Sequence, residues 1–279
     1  MHKDINSIRM VTIEEVVQET PTVKTLFFKD AFSNLAKPGQ FLMVWIPRAE
    51  ELPFSIMVSE KKYYAAITVR KHGYGSTALF DQKKGDKLGI RGPYGNSFSL
   101  KEDHERIILI GGGTGLVPLV RLLSTIKNKN IKITIIIGAK SKSEVFFTDL
   151  IERILKDNKT HTILTSTEDG SFGKKGYPVD LFQDTLSEEG DSFEMVYTCG
   201  PELMMKKIFD MAVEKKIPLQ ASLERYMKCG IGICSSCCIN DMLVCYDGTV
   251  FDEKQLQNLP EFGFKYRDKS GILREYNLI

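Results

Sequence analysis

A chain of 279 residues, 42% of them apolar, has the length and hydrophobic matter for two or three packed cores, which excludes a disordered or fibrous protein. Its 38 Lys and Arg stand against 36 Asp and Glu, so no global field draws it to nucleic acid or to an anionic membrane, and partners must be read by local surfaces. Six clustered cysteines make no disulfide framework, Met1-His2-Lys3-Asp4 lacks the apolar core of a signal peptide, and the longest apolar runs are strand-sized; the expectation is a cytoplasmic, non-membrane protein with reduced thiols.

The first hundred residues read as β structure. Val11-Thr12-Ile13, Val23 to Phe28, Phe41 to Ile46 and Tyr63 to Val69 are short β-branched and aromatic runs parted by glycine, proline and charged turns, and they predict an antiparallel barrel. Two further segments carry their own chemistry, Leu52-Pro53-Phe54-Ser55 and Val69-Arg70-Lys71-His72-Gly73-Tyr74-Gly75-Ser76-Thr77. In the second, glycines free backbone N–H groups and Ser76 and Thr77 add hydroxyls ahead of a helix, which suits a phosphate; a hairpin turn with chance glycines is the plainer alternative.

From Ile107 the texture changes. Ile107-Ile108-Leu109-Ile110 is a continuous apolar strand that ends in Gly111-Gly112-Gly113-Thr114-Gly115 and leads into a helical pattern from Leu116 to Ile126. Ile131 to Ile137 with Glu144 to Leu155 repeats that order. Further strands are expected at His161 to Ser166 and Glu194 to Thr198, and a helix from Glu202 to Lys215 follows Cys199-Gly200-Pro201. Such alternation predicts a parallel sheet with crossover helices. The glycine run is not G-x-G-x-x-G, because Leu116 stands where the last glycine would. Its physics is related: a tight turn at a strand's end aims helix N–H groups at a pyrophosphate, with a purely structural turn as the alternative.

Cys229, Cys234 and Cys237 follow the C-x-x-x-x-C-x-x-C spacing of plant-type 2Fe–2S ligand loops, and Cys245 returns after seven residues as a fourth thiolate. Gly230 and Gly232 let main-chain N–H groups approach sulfur with no Cβ in the way. The return through Ile239-Asn240-Asp241-Met242 has to be tight. A structural zinc site is the competing reading, although zinc ribbons carry two C-x-x-C knuckles and this loop opens with a spacing of four. Cys238, beside Cys237, is expected to point away from the other thiols. Apolar Met227, Ile231 and Ile233 are expected either to pack the loop against the barrel or to meet a partner.

Barrel, nucleotide sheet and cysteine loop in this order resemble the ferredoxin-reductase superfamily. Glu224 to Cys234, continued by Val244 to Phe251, is most similar to the electron-transfer subunits of NAD-dependent dihydroorotate dehydrogenases. The resemblance implies an α+β multidomain chain: an antiparallel β-barrel FAD domain at 1–102, an α/β parallel-sheet NAD domain at 103–217, and a small 2Fe–2S domain with a tail at 218–279. It implies that Leu52, Pro53, Phe54 and Ser55 lie along the isoalloxazine and ribityl chain. Leu52 replaces the family's arginine there, leaving Arg48 or Arg70 to supply the cation. It implies further that Val69, Arg70, Lys71, Gly75, Ser76 and Thr77 border the flavin phosphates, and that Gly111, Gly112, Gly113, Thr114 and Gly115 hold the nicotinamide cofactor. Cys199, Gly200 and Pro201 would stand beside nicotinamide C4, Cys199 touching that carbon without attacking it. Glu168 and Asp169 fall where the cofactor ribose is distinguished, and carboxylates there favour NAD over NADP, against the nearby Lys174 and Lys175. Many members have a longer return and a proline in place of Thr249. The implied ligands are Cys229, Cys234, Cys237 and Cys245. The implied activity is electron transfer in pyrimidine biosynthesis: an FMN-containing dihydroorotate dehydrogenase catalytic subunit, a separate chain, oxidises dihydroorotate, and electrons cross the cluster and FAD to NAD+, in a heterotetramer of two such pairs. Related subunits serve hydrogenases, sulfide dehydrogenases and ferredoxin:NADP oxidoreductases, and a zinc-stabilised nucleotide-binding module is the non-enzymatic alternative.

Overall fold

The computed structural model describes residues 5–276 apart from 102, 127–129 and 190–191, so the polar start Met1 to Asp4 lies outside the described residues. Six strands, β1 (Arg9–Thr20), β2 (Val23–Lys29), β3 (Phe41–Trp45), β4 (Glu51–Met57), β5 (Tyr64–Arg70) and β6 (Lys87–Tyr94), close into an antiparallel barrel in the order β1-β2-β5-β4-β3-β6. Helices α1 (Ala31–Asn34) and α2 (Tyr74–Phe80) interrupt them. Period-two alternation sorts the side chains. On β3, Leu42 and Val44 fill the barrel, while Phe41 and Met43 point outward into a second core that contains Cys237 and Cys245. The barrel wall is therefore also the seat of the cysteine loop.

The second sheet begins with β7 (Arg106–Gly112), β8 (Lys132–Ala139), β9 (His161–Thr167), β10 (Lys174–Lys175), β11 (Met195–Cys199) and β12 (Leu219–Ser222), all parallel. Its helices are α3 (Leu116–Ile126), α4 (Thr148–Ile154), α5 (Pro178–Glu189) and α6 (Glu202–Glu214). A continuous apolar strand is what a parallel sheet covered on both faces demands. In β7, Ile108 and Ile110 face α5 and α6, whereas Ile107 and Leu109 face α3 and α4. The helix expected from Glu144 is shorter, because Phe147 adopts φ +69 and α4 starts only at Thr148.

Beyond residue 217 the chain stays in this sheet for one more strand, since Leu219–Ser222 is buried throughout and pairs with β11. It then makes an excursion holding the hairpin β13 (Cys238–Ile239) and β14 (Met242–Leu243), and returns as β15 (Val250–Asp252), antiparallel to β12. The order is β10-β9-β8-β7-β11-β12-β15. Helix α7 (Glu253–Gln257) and a last hairpin, β16 (Lys265–Arg267) with β17 (Leu273–Glu275), complete the described chain. That hairpin occupies the tail, whose sequence shows no clear period. Among the described residues no helix is long and apolar enough to cross a membrane.

Arg121 of α3 fastens the two sheets together. It is buried, and it donates to the carbonyls of Ala36 (2.9 Å), Met57 (3.0 Å) and Asn34 (2.8 Å) on the barrel side. Burial lowers its pKa to about 10, which leaves it charged at neutral pH. Arg121→Met would strand those acceptors, and unsatisfied buried groups cost about 1–3 kcal/mol each. The expected loss is about 2–3 kcal/mol of stability in urea or thermal unfolding.

Candidate functional site

The C-terminal ends of β7 and β11 lie side by side, and their loops meet backbone to backbone. A Cβ on Gly115 would stand 2.3 Å from the Cys199 carbonyl oxygen, and one on Gly200, at φ +150, would stand 2.9 Å from the Gly112 nitrogen. Only glycine permits this approach. The loops open onto a cavity of about 1310 Å³. Its walls include Arg70, Gly112 to Gly115, Gly200 and Pro201, together with Glu168. Six of those positions are the predicted nucleotide loop and its neighbour, and Arg70 comes from the predicted phosphate segment of the barrel.

The barrel residues of the site divide. Leu52, Pro53, Phe54 and Ser55 lie half-buried on β4, paired with Val44, Met43, Leu42 and Phe41. Arg70 reaches Glu144 at 3.1 Å and passes close to Gly113, so it spans the two sheets. Arg48, the other candidate cation, is not among the cavity's lining residues. Val69 is fully buried inside the barrel, and the Lys71 ammonium lies over the Phe80 ring instead of the cavity. Gly75 is buried, and its N–H donates to Glu50 at 3.1 Å. The Ser76 hydroxyl accepts from the Gly73 nitrogen at 2.9 Å, and the Thr77 nitrogen donates to the Gly73 carbonyl, so both belong to the turn that starts α2.

Cys199 is buried under the floor of the cavity rather than on its wall. Burial, reinforced by the Glu224 charge, pushes its thiol far above the ordinary range. Glu224 was not singled out by any sequence signal. Its side chain lines the cavity, and desolvation within those walls raises its pKa. Of the expected ribose carboxylates, Glu168 lines the cavity, while Asp169 accepts from the Ser171 nitrogen and hydroxyl and serves its own turn. Lys174 is paired with Asp184, away from the cavity wall.

The tail supplies part of the same wall. Tyr266 and Tyr276 line the cavity, and Lys269 crosses to Glu50 on the barrel at 2.8 Å. The hairpin is anchored by Glu202 at the start of α6. That carboxylate accepts from both Arg225 Nη atoms (Nη2 at 2.8 Å), from the Gly263 nitrogen (2.9 Å) and from the Tyr276 hydroxyl (3.2 Å).

The four predicted cysteines gather at the far end of the Glu224–Arg225–Tyr226 segment. Gly230 and Gly232 take φ +74 and +78, which turns the loop so that its amides face sulfur. Cys229 Sγ accepts from Ile231, Ile233 and Cys234 nitrogens at 3.5, 3.3 and 3.4 Å; Cys245 Sγ accepts from Gly232 at 3.2 Å and Cys237 Sγ from Cys245 at 3.4 Å. The short return is a hairpin turned at Asn240, which takes φ +50, as suits a two-residue connection. Cys238 pairs with Leu243 on that hairpin. Burial raises the Cys234 thiol, but the Ser236 hydroxyl and backbone N–H outweigh it and bring the thiol down to about 6. The Cys245 thiol lowers Cys237 to about 7, and the same contact pushes Cys245 up. Such amides and low thiol pKa values fit a group that binds thiolate. Among the described residues, no three His, Cys, Asp or Glu converge on a site for one metal ion.

Cys237 and Cys245 are buried against the barrel side, whereas Cys234 is exposed. Ile233 and Tyr246 are 75% and 71% exposed at that outer edge. Met227, expected among the edge residues, is buried in the core shared with the barrel, and Ile231 is partly buried there.

Comparison with known proteins agrees with this geometry. Residues 109–210 match the oxidoreductase NAD-binding domain, and residues 224–257 match the iron-sulfur cluster binding domain of dihydroorotate dehydrogenase B. A probable dihydroorotate dehydrogenase B (NAD(+)) electron transfer subunit of Methanocaldococcus jannaschii is 40% identical over 93% of this chain and 95% of its own. Its counterpart from Methanocella arvoryzae is 41% identical over 93% and 96%. The solved NADH-dependent reduced ferredoxin-NADP oxidoreductase superposes with a TM-score of 0.78 at 25% identity, over 92% of this chain and 94% of that one. Ferredoxin-NADP+ reductase from Plasmodium falciparum shares the fold, with a TM-score of 0.64 at 17% identity over 79% and 98%. With nearly full-length relatives at this identity, the chain belongs to the family of dihydroorotate dehydrogenase B electron transfer subunits.

Proposed function

We propose that this chain passes electrons between a separate dihydroorotate-oxidising, FMN-containing subunit and NAD+, using a 2Fe–2S cluster on Cys229, Cys234, Cys237 and Cys245 and an FAD on the barrel. The observation that carries the reading is the cysteine basket, with five backbone N–H groups directed at three of its sulfurs. Its opening spacing of four, where zinc ribbons carry two C-x-x-C knuckles, suits two irons better than a tetrahedral zinc. When bound, FAD supplies the exchange between a two-electron hydride and the single electrons a 2Fe–2S cluster carries.

Each wall of the site then has a task. Gly112 to Gly115 offer backbone N–H groups to a pyrophosphate, and Glu168 at the end of β9 favours a ribose over a ribose phosphate. Cys199 and Gly200 form a dry floor against which the nicotinamide ring is held, with the Glu224 carboxyl beside it. Arg70 stands between the flavin segment and the nucleotide loop and takes over the cation missing at Leu52. The buried side of the cluster loop faces β3, which pairs with the flavin strand β4, and its exposed side, Cys234 with Ile233 and Tyr246, meets the catalytic partner in a heterotetramer.

Anaerobic co-purification with the native partner tests this directly. The expected product holds one FAD, two irons and two acid-labile sulfides per chain of this subunit, and reduces NAD+ with dihydroorotate. Zinc in place of iron in protein from the native host would overturn it. The likeness to the ferredoxin-NADP oxidoreductase favours a second reading, a ferredoxin-linked donor, which the same purification separates by the partner that appears.

A further inference from the structure

The cysteine loop touches the barrel through one charged pair that neither the motifs nor the proposed cofactor contacts use. Arg91 of β6 donates from Nε to Glu51 Oε1 at 2.8 Å and from Nη2 to Glu51 Oε2 at 2.6 Å. The same Nη2 donates to the carbonyl oxygen of Cys229 at 3.1 Å. Both side chains are largely withdrawn from water, at 13% and 23% exposure. The location is specific. Glu51 is the residue before Leu52 on the flavin strand, Cys229 opens the ligand loop, and Arg91 lies across β3 from the one and under the other. Beside them Gly230 sits so close to Met43 that a Cβ would stand 2.6 Å from its Cγ, so the loop cannot drift off this seat without losing the contact.

A fork-to-fork arginine–carboxylate pair fixes position as well as charge. Next to a cluster whose reduction adds negative charge in a region of low dielectric, each member of the pair also acts at a distance: the guanidinium favours the added electron and the carboxylate opposes it. We propose that the Arg91–Glu51 pair is a positioning and potential-setting device for the cluster, tying Cys229 to the flavin strand and holding two opposed charges in balance beside the irons. This rests on the assignment of Cys229 as a ligand.

The test is a redox titration of the whole complex followed by electron paramagnetic resonance of the reduced cluster, which reads potential independently of turnover. Arg91→Met leaves the Glu51 carboxylate unopposed and should lower the cluster potential; Glu51→Gln leaves the guanidinium unopposed and should raise it. A tenfold change in the reduction equilibrium in each direction corresponds to about 59 mV for one electron. The Glu51→Gln/Arg91→Met double variant should return close to wild type. A merely structural bracket would loosen the loop in both single variants and shift both the same way, or not at all, and either result overturns the proposal. If Arg91→Met loses its iron, Arg91→Lys and Glu51→Gln carry the test: the first should keep the wild-type potential and the second should raise it, and any other pattern overturns it. Wild-type protein without iron would instead defeat the ligand assignment itself, an outcome told apart by metal analysis before any titration.

Discussion

Cys245→Ser should lower the iron and labile sulfide content of the anaerobically prepared subunit by more than about tenfold, since even residues that only support metal ligands are worth 10–100-fold in affinity. Cys229→Ser, Cys234→Ser and Cys237→Ser should do the same, and Cys238→Ser should not, because Cys238 is engaged on the hairpin with Leu243. The proposed nicotinamide site lies at the ends of β7 and β11, which contain none of these thiols. Flavin retained by Cys245→Ser protein should therefore still be bleached by NADH, while electron exchange with the catalytic partner falls to background. Iron content and stopped-flow bleaching, measured on the same sample, check both halves. Iron retained in Cys245→Ser but lost in Cys238→Ser would reverse the ligand assignment.

The second large effect is expected at Glu202. Its ion pair with Arg225 is almost fully buried, the side chains being 5% and 2% exposed, and the Gly263 nitrogen and Tyr276 hydroxyl converge on the same carboxylate. Burial alone would lower the Arg225 pKa, yet the Glu202 carboxylate holds it above its ordinary value. Glu202→Ala strands that guanidinium, and breaking a buried pair by removing one partner costs about 3–5 kcal/mol. The apparent Tm should drop by roughly 10 °C, at about 2–4 °C per kcal/mol for a chain of this size class. Replacing both members, Glu202→Met with Arg225→Met, should recover part of the loss, because no charge is then left unpaired. Differential scanning calorimetry of the two variants beside wild type separates the pair's charge from its packing; equal losses in both would place the whole effect in packing.

Local signals made much of this legible. The apolar run at Ile107–Ile110, the glycines after it and the helix Leu116–Ile126 are where the pattern puts them, because a parallel strand buried on both faces leaves a mark that nothing exposed can copy. The cysteine spacing carried its own geometry in the same way. Less legible were the contacts made at long range. Arg121 and Glu202 look like ordinary helical surface charges in a one-dimensional reading, and only the packing of α3 on the barrel and of the tail on α6 buries them. Glu224 gives no local sign, because its unusual environment is assembled from the cavity around it. The tail hairpin escaped because three-residue strands are too short to show a period, and β12 because four residues after Pro218 cannot announce which sheet they join.

The pairing of Ser222 with Val250 has a topological consequence. Residues 223–249, which carry all four proposed ligand thiols, form a closed excursion whose two ends are stitched together by neighbouring strands of one sheet. The entropy of bringing those ends together is met by the sheet's own pairing and not by the contents of the loop. Such an excursion behaves like a mounted cartridge: its ends are held by the sheet whatever the loop between them carries, while Glu224, Arg225 and Tyr226 at its entry stay part of the cavity wall.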